Sequence, residues 1–218
     1  MSRLLLPALL LLLVAGGGCA VPYSVGATAE TVRPGAVVQR SAIQFASAQP
    51  DLRPAAGSTE PTTSTVTFDQ EVRFGLDDAS DAGVRLVGTD GVVASYRRRL
   101  GMLGVVKIAG TVGAGVVGFG SHGHFEATLA LSPEVRGALT PYGGLRAQAL
   151  VPLGDGPEAP VALGAFGGVR LASGDLAIYP ELGVFYAPTE PFRGSDWIIV
   201  PSITIAGDRL LRALGIGG

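Results

Sequence analysis

Between Val37 and Ile205 the chain is written in short segments whose apolar residues fall on every second position, divided by clusters of Gly, Pro, Asp and Ser. A side-chain period of two puts those apolar residues on one face of an extended strand, and the clusters mark where strands reverse. Four segments carry the pattern best. Phe125 to Leu131 sets Phe125, Ala127, Leu129 and Leu131 against Glu126 and Thr128. Leu145 to Val151 sets Leu145, Ala147, Ala149 and Val151 against Arg146 and Gln148. Val161 to Leu171 opposes Val161, Leu163, Ala165, Val169 and Leu171 to Arg170 and several glycines, and Leu176 to Tyr186 opposes Leu176, Ile178, Leu182, Val184 and Tyr186 to Tyr179 and Glu181. Weaker members are Val37–Phe45, Val66–Leu76, Val84–Val87, Val92–Arg98, Val105–Val117 and Trp197–Ile205. The expected fold class is all-β: a single antiparallel up-and-down β-barrel of about 8–10 strands. Helical patterning is confined to the end, where Leu210, Leu211 and Leu214 accompany Arg209 and Arg212.

Alternation alone leaves open which face meets water. In a soluble barrel or sandwich the apolar face points inward. Here the opposite faces are a poor match for water, being largely Gly, Ala, Thr and isolated charges. Only 16% of all residues are charged, Gly numbers 33, and mean hydropathy is +0.41. Lys107, Glu126, Arg146, Arg170 and Glu181 come from different segments and carry mixed signs. In a narrow lumen they are expected to pair, as buried charges must.

The N-terminus has a different design. Met1-Ser2-Arg3 precedes an apolar run from Leu4 to Val14 and then Ala15-Gly16-Gly17-Gly18-Cys19. A positive start, a short apolar stretch and small residues before a cut site make a secretory signal peptide, too short to span a bilayer as a helix. The small residues before Cys19 resemble the lipobox of bacterial lipoproteins, with Gly16 where Leu is usual. That resemblance implies an acylated Cys19 at the mature N-terminus. Cys19 is the sole cysteine, so no disulfide within the chain staples the fold. Ala20 is not the Asp that favours inner-membrane retention in such proteins, which points to the outer membrane. The expected organisation is a signal peptide over 1–18, a lipidated tether over 19–35, a barrel over 36–207 and a short tail over 208–218. The Pro-, Ser- and Thr-rich stretch from Gln49 to Thr65 reads as a long loop.

From Gly35 to Gly207, and most strongly over Val105–Gly120 and Ala159–Tyr186, the pattern resembles the small outer-membrane β-barrel proteins of bacteria, here in a lipid-anchored version. Such barrels have short periplasmic turns and longer external loops. The resemblance implies external loops at Gln49–Thr65, Gly118–His124, Gly154–Pro160 and Pro188–Asp196, and periplasmic turns at Asp77–Ser80, Leu100–Gly104 and Ser173–Asp175. Thr89-Asp90-Gly91 is a tight external hairpin, and Ser132–Pro141 a long periplasmic connection. An even strand count places both barrel ends on the periplasmic side, where a lipid in the inner leaflet would hold Cys19. The family usually ends on a strand with a terminal aromatic residue; here Asp208 to Gly218 follow the last segment.

Catalytic constellations are scarce. His122 and His124 are the only histidines and read as a polar loop tip, since a zinc site needs three or four ligands. Gly110 to Gly120 lacks the Gly-Lys-Ser/Thr ending of a phosphate loop, and glycines at this density in strands mark curvature or close approach. Arg97-Arg98-Arg99 reads as a solvated strand end or a contact for anionic headgroups. Tyr186, Phe192 and Trp197 flank a proposed external loop, where interfacial aromatic residues gather. Lys+Arg 16 against Asp+Glu 18 leaves no basic field for nucleic acid. The expected function is therefore non-enzymatic, with no cofactor and no metal. The expected partners are membrane lipids and an envelope protein met through the loops. The alternative is a periplasm-facing lipoprotein whose soluble barrel or sandwich holds an apolar ligand.

Overall fold

The computed structural model describes residues 21–47, 64–154, 161–174, 176–187 and 197–207. Cys19, the signal segment and most of three long connections lie outside the described residues.

Ten strands follow one another in chain order: β1 (Val37–Ala46), β2 (Thr65–Asp77), β3 (Ser80–Val87), β4 (Gly91–Leu103), β5 (Val106–Val117), β6 (His122–Pro133), β7 (Leu139–Pro152), β8 (Val161–Ser173), β9 (Leu176–Tyr186) and β10 (Trp197–Ala206). Each pairs antiparallel with its neighbours in sequence, and β1 pairs antiparallel with β10 to close the barrel. Full closure leaves no strand edge unpaired, which is the condition for a sheet to stand in hydrocarbon. The alternating segments became strands at nearly the expected places. The main extensions are at β3, which begins at Ser80, at the β4–β5 hairpin, where strand continues through Leu100–Gly104 as far as Leu103, and at β7, which begins at Leu139 and not at Leu145. The connection expected at Ser132–Pro141 contracts to residues 134–138.

The two rims differ. At the rim where β1 begins and β10 ends, called here the near rim, the connections are residues 78–79, 104–105, 134–138 and 174–175. At the far rim they are 47–64, 88–90, 118–121, 153–160 and 187–196. Length is thus segregated by end, with 88–90 the tight exception.

The burial pattern answers which face is outside. Along β6, Phe125, Leu129 and Leu131 are exposed while Glu126, Thr128 and Ser132 are buried, and along β7 Leu145 is exposed while Arg146 and Gln148 are buried. Leu145 and Leu163 are 60% and 56% exposed. The outer wall is apolar, and the interior carries the buried charges beside two apolar clusters, unlike a soluble barrel built around an apolar core.

Candidate functional site: a polar lumen filled by the N-terminal segment

What fills the interior is the chain before β1. Residues 21–32 were expected to be part of a tether between lipid and domain. Instead Val21, Tyr23, Ser24, Ala27, Thr28, Ala29 and Val32 are all buried, because the segment runs inside the barrel. The local sequence explains how it gets in. Arg33-Pro34-Gly35-Ala36 forms a β-turn closed by the Ala36 N–H donating to the Arg33 carbonyl at 3.0 Å. Pro at the second position and Gly35 at the third, with φ 73°, are what a type II turn requires. The Gly35 N–H then donates to the Gly75 carbonyl at 3.0 Å. A side chain at Gly75 would put its first carbon 1.8 Å from the Arg33 carbonyl oxygen, so the turn and β2 touch only because that position is bare.

An extended segment with no sheet partner leaves its own peptide groups to be satisfied, and wall side chains do this all along its length. Gln44 accepts from the Ser24 N–H at 2.7 Å and donates to the Val21 carbonyl at 2.8 Å. Glu181 accepts from the Val25 and Gly26 N–H groups at 2.8 and 2.9 Å. Arg146 donates to the Pro22 and Ser24 carbonyls at 2.8 and 3.0 Å, and Gln148 adds a second donor to Pro22. Ser132 accepts from Ala29, and Asp81 from Val32. Lys107 holds the Glu30 carboxylate at 2.7 Å near the near rim. Gly26, at φ 51°, lies against Thr204 of β10 so closely that an added first carbon would meet its Oγ1 at 2.1 Å.

Around the segment the wall charges pair with one another. Asp81, fully buried, takes Arg73 and Arg97 at 2.6 Å each. Glu71 joins Arg73 at 2.6 Å and Arg40 at 3.4 Å. Glu126 takes Arg85 at 2.8 Å and Arg146 at 2.5 Å. Outside the wall, at the near rim, Arg136 donates to Glu134, and that hydrogen bond holds the Glu134 carboxyl below the usual carboxylate range.

Of the five charges expected to meet in the lumen, Glu126 and Arg146 pair directly. Glu181 and Lys107 bind the N-terminal segment instead. Arg170 stands apart: it is only partly buried, and among the described residues it donates to the Gly137 carbonyl at 3.4 Å on the near rim. Sequence reasoning missed Arg73, Asp81, Arg85, Arg97, Glu71 and the segment itself. Alternation through Asp69-Gln70-Glu71-Val72-Arg73 carried a signal for the first of these. Arg97-Arg98-Arg99 is not a uniformly solvated strand end: Arg97 points inward and is buried, while Arg98 faces out. His122 and His124 form no loop tip either. They open β6, are fully buried, and His122 Nδ1 lies 2.8 Å from Ser121 Oγ. Among the described residues no group of three or more His, Cys, Asp or Glu could hold a metal ion.

Among the described residues, two gaps beside the segment, both lined by Arg40, Glu71 and Arg85, measure about 20 and 30 Å³, roughly one water molecule each. The large depression, about 820 Å³, is on the outer wall among Leu100, Val112, Leu129, Leu145 and Leu163.

No protein-family model matches this chain, and no curated protein matches it. Solved structures do. An outer membrane channel from Pseudomonas putida aligns at 11% identity and a TM-score of 0.49, covering 86% of this chain and 99% of that one. The outer membrane protein OprG from Pseudomonas aeruginosa aligns at 13% identity and a TM-score of 0.34, covering 83% and 97%. A transmembrane β-barrel of de novo design aligns at 13% identity and a TM-score of 0.37, covering 81% and 98%.

Proposed function

We propose that this chain is a non-enzymatic β-barrel of a Gram-negative-type outer membrane, acylated at Cys19, with a structural or interaction role in the envelope exercised through its far-rim loops. One observation carries the proposal: the wall is apolar outside and lined inside by paired charges. That inversion puts hydrocarbon outside the barrel and polar groups where they satisfy one another. Strands of 8 to 14 residues suit a bilayer, which a tilted strand crosses in about 9–11 residues. The same inversion argues against the soluble module with an apolar ligand, because the wall's large apolar residues face outward and the apolar clusters inside are packed side chain against side chain.

The short near-rim connections favour a periplasmic near rim, and the longer far-rim connections an outward far rim. With the lumen filled along its length, the resting barrel is a closed body rather than an open pore. The test replaces residues 1–19 with an ordinary cleavable signal peptide, so that no lipid is attached. The exported protein is expected to stay in the outer-membrane pellet through carbonate and urea washing, and to migrate differently boiled and unboiled. Appearance in the soluble periplasmic fraction would overturn the proposal.

A further inference from the structure

The N-terminal segment crosses the barrel from rim to rim. Its later end is fixed at the near rim, where Val32 meets Asp81 at the start of β3 and Gly35 meets Gly75 near the end of β2. Its earlier end lies at the far rim. There Val21 and Tyr23 share an apolar cluster with Ala46, Val117, Phe185 and Ile198. Those residues belong to the last turns of β1, β5 and β9 and the first of β10. Tyr23 packs on Phe185 with ring centroids 4.9 Å apart. Between the two ends, Arg146, Glu181, Ser132 and Lys107 hold Ser24, Val25, Ala29 and Glu30 in turn.

The barrel's own strand ends and the leading end of the chain therefore leave by opposite mouths. A chain advances at most about 3.3–3.6 Å per residue, so Cys19, two positions before Val21, stays within roughly 7 Å of it. Where the described gaps lie beside the segment, each has room for about one water molecule and not for a second pass of chain. Around the same mouth Trp197, 57% exposed, packs at a tilt against Tyr186 with ring centroids 5.2 Å apart on the outer wall. Amphipathic rings of this kind sit at headgroup level.

We infer that the chain is threaded through its own barrel, and that its acyl group enters the outward leaflet at the far rim rather than the periplasmic leaflet beside the strand ends. The lipid part of this inference rests on the acylation proposed above; the thread does not. It replaces the expectation that an even strand count brings Cys19 to the periplasmic side.

A short acidic epitope inserted between Ala20 and Val21 of the full chain reads the outcome, with the same epitope between Thr62 and Thr63 as a reference for the far rim. Antibody binding is compared on intact and permeabilised cells, and acylation is read separately by metabolic incorporation of an alkyne fatty acid. The expected result is binding to both epitopes on intact cells at similar levels, with fatty-acid label that disappears in Cys19→Ser. Binding to the first epitope only after permeabilisation, with the second open on intact cells, overturns the thread. Closure of both on intact cells overturns the outward assignment of the far rim. An exposed first epitope without label overturns the acylation and leaves the thread standing. Should the insertion block folding, A29C/S132C without an epitope tests the thread alone. An oxidised cross-link that changes migration supports it, and two freely alkylated thiols in a folded barrel overturn it.

Discussion

Arg146 of β7 and Glu126 of β6 meet at 2.5 Å inside the barrel, and the same guanidinium holds the carbonyls of Pro22 and Ser24. One side chain thus ties two wall strands to the segment in the lumen. Arg85 completes the arrangement from β3, bonding both Glu126 and the Ser24 carbonyl. Removing Glu126 leaves two cations without their carboxylate. Breaking a buried pair from one side typically costs about 3–5 kcal/mol. Glu126→Ala is expected to lose stability of that order in urea titrations of the refolded barrel in lipid. The double variant E126L/R146M should recover only part of it, because Arg85 still lacks its carboxylate and the Pro22 and Ser24 carbonyls keep one donor each, Gln148 and Arg85, in place of two. Full recovery would show that the link to the segment contributes nothing.

Gly26 is the position where the segment tolerates least. Its left-handed backbone costs a residue with a side chain about 1–2 kcal/mol, and Thr204 occupies the space a side chain needs. Gly26→Val is expected to dislodge the segment while the wall, whose pairing does not involve it, persists. Unboiled samples should still migrate as a folded barrel, and planar bilayers should show ion conductance absent from the parent protein. Deletion of residues 21–32 should give the same current or more. An unchanged conductance in both variants would mean that the lumen closes by other means.

On the outer wall the sign of the effect reverses, with charge unwelcome. A cationic residue at the bilayer midplane of such a barrel costs about 2–4 kcal/mol and close to 0–1 near an interface. Leu145→Arg, in the middle of β7, is expected to fall in the first range, and Val105→Arg, in the near-rim turn, in the second. Equal costs from lipid-based unfolding titrations would contradict a bilayer around the strands.

Two cations that the sequence groups together are separated by the structure, and their variants should differ. Lys107 binds Glu30 of the segment at 2.7 Å and Glu134 at 3.7 Å, while among the described residues Arg170 reaches a rim carbonyl. Lys107→Met should loosen the near-rim attachment and raise the rate of proteolytic nicking after Glu30. Arg170→Ala should change stability by no more than about 0.5 kcal/mol.

The wall was legible because a strand's side-chain period is local: Phe125, Ala127, Leu129 and Leu131 announce one face whatever their neighbours do. The same period assigned Glu126 and Arg146 to the opposite face, and registration of Glu126 with Gln148 across β6 and β7 then brought them together. Ser80 to Gly83 were passed over because Asp81, which pairs with two arginines, sits in a stretch that otherwise reads as a turn. The lumen segment could not be found this way. Val21 to Val32 has no period, since its contacts come from the surrounding wall and not from one sheet face. Its residues are small because they must fit beside wall side chains, and smallness also describes a tether. His122 and His124 misled for a related reason: glycines on both sides suggest a loop, yet β6 begins among them and turns both rings inward.

The bore of this barrel has a size that its walls alone do not call for. About eight strands already enclose an interior that side chains can fill, and each further pair widens it. Ten strands with lysine, arginine and glutamine pointing inward would leave a channel along the axis. Here that extra width is matched by the cross-section of a single peptide made mostly of valine, alanine and threonine. Strand number and the composition of residues 21–32 are therefore two sides of one fit. Bulkier residues along the axis would demand a wider ring, and a ring two strands narrower would have no room for the axis at all.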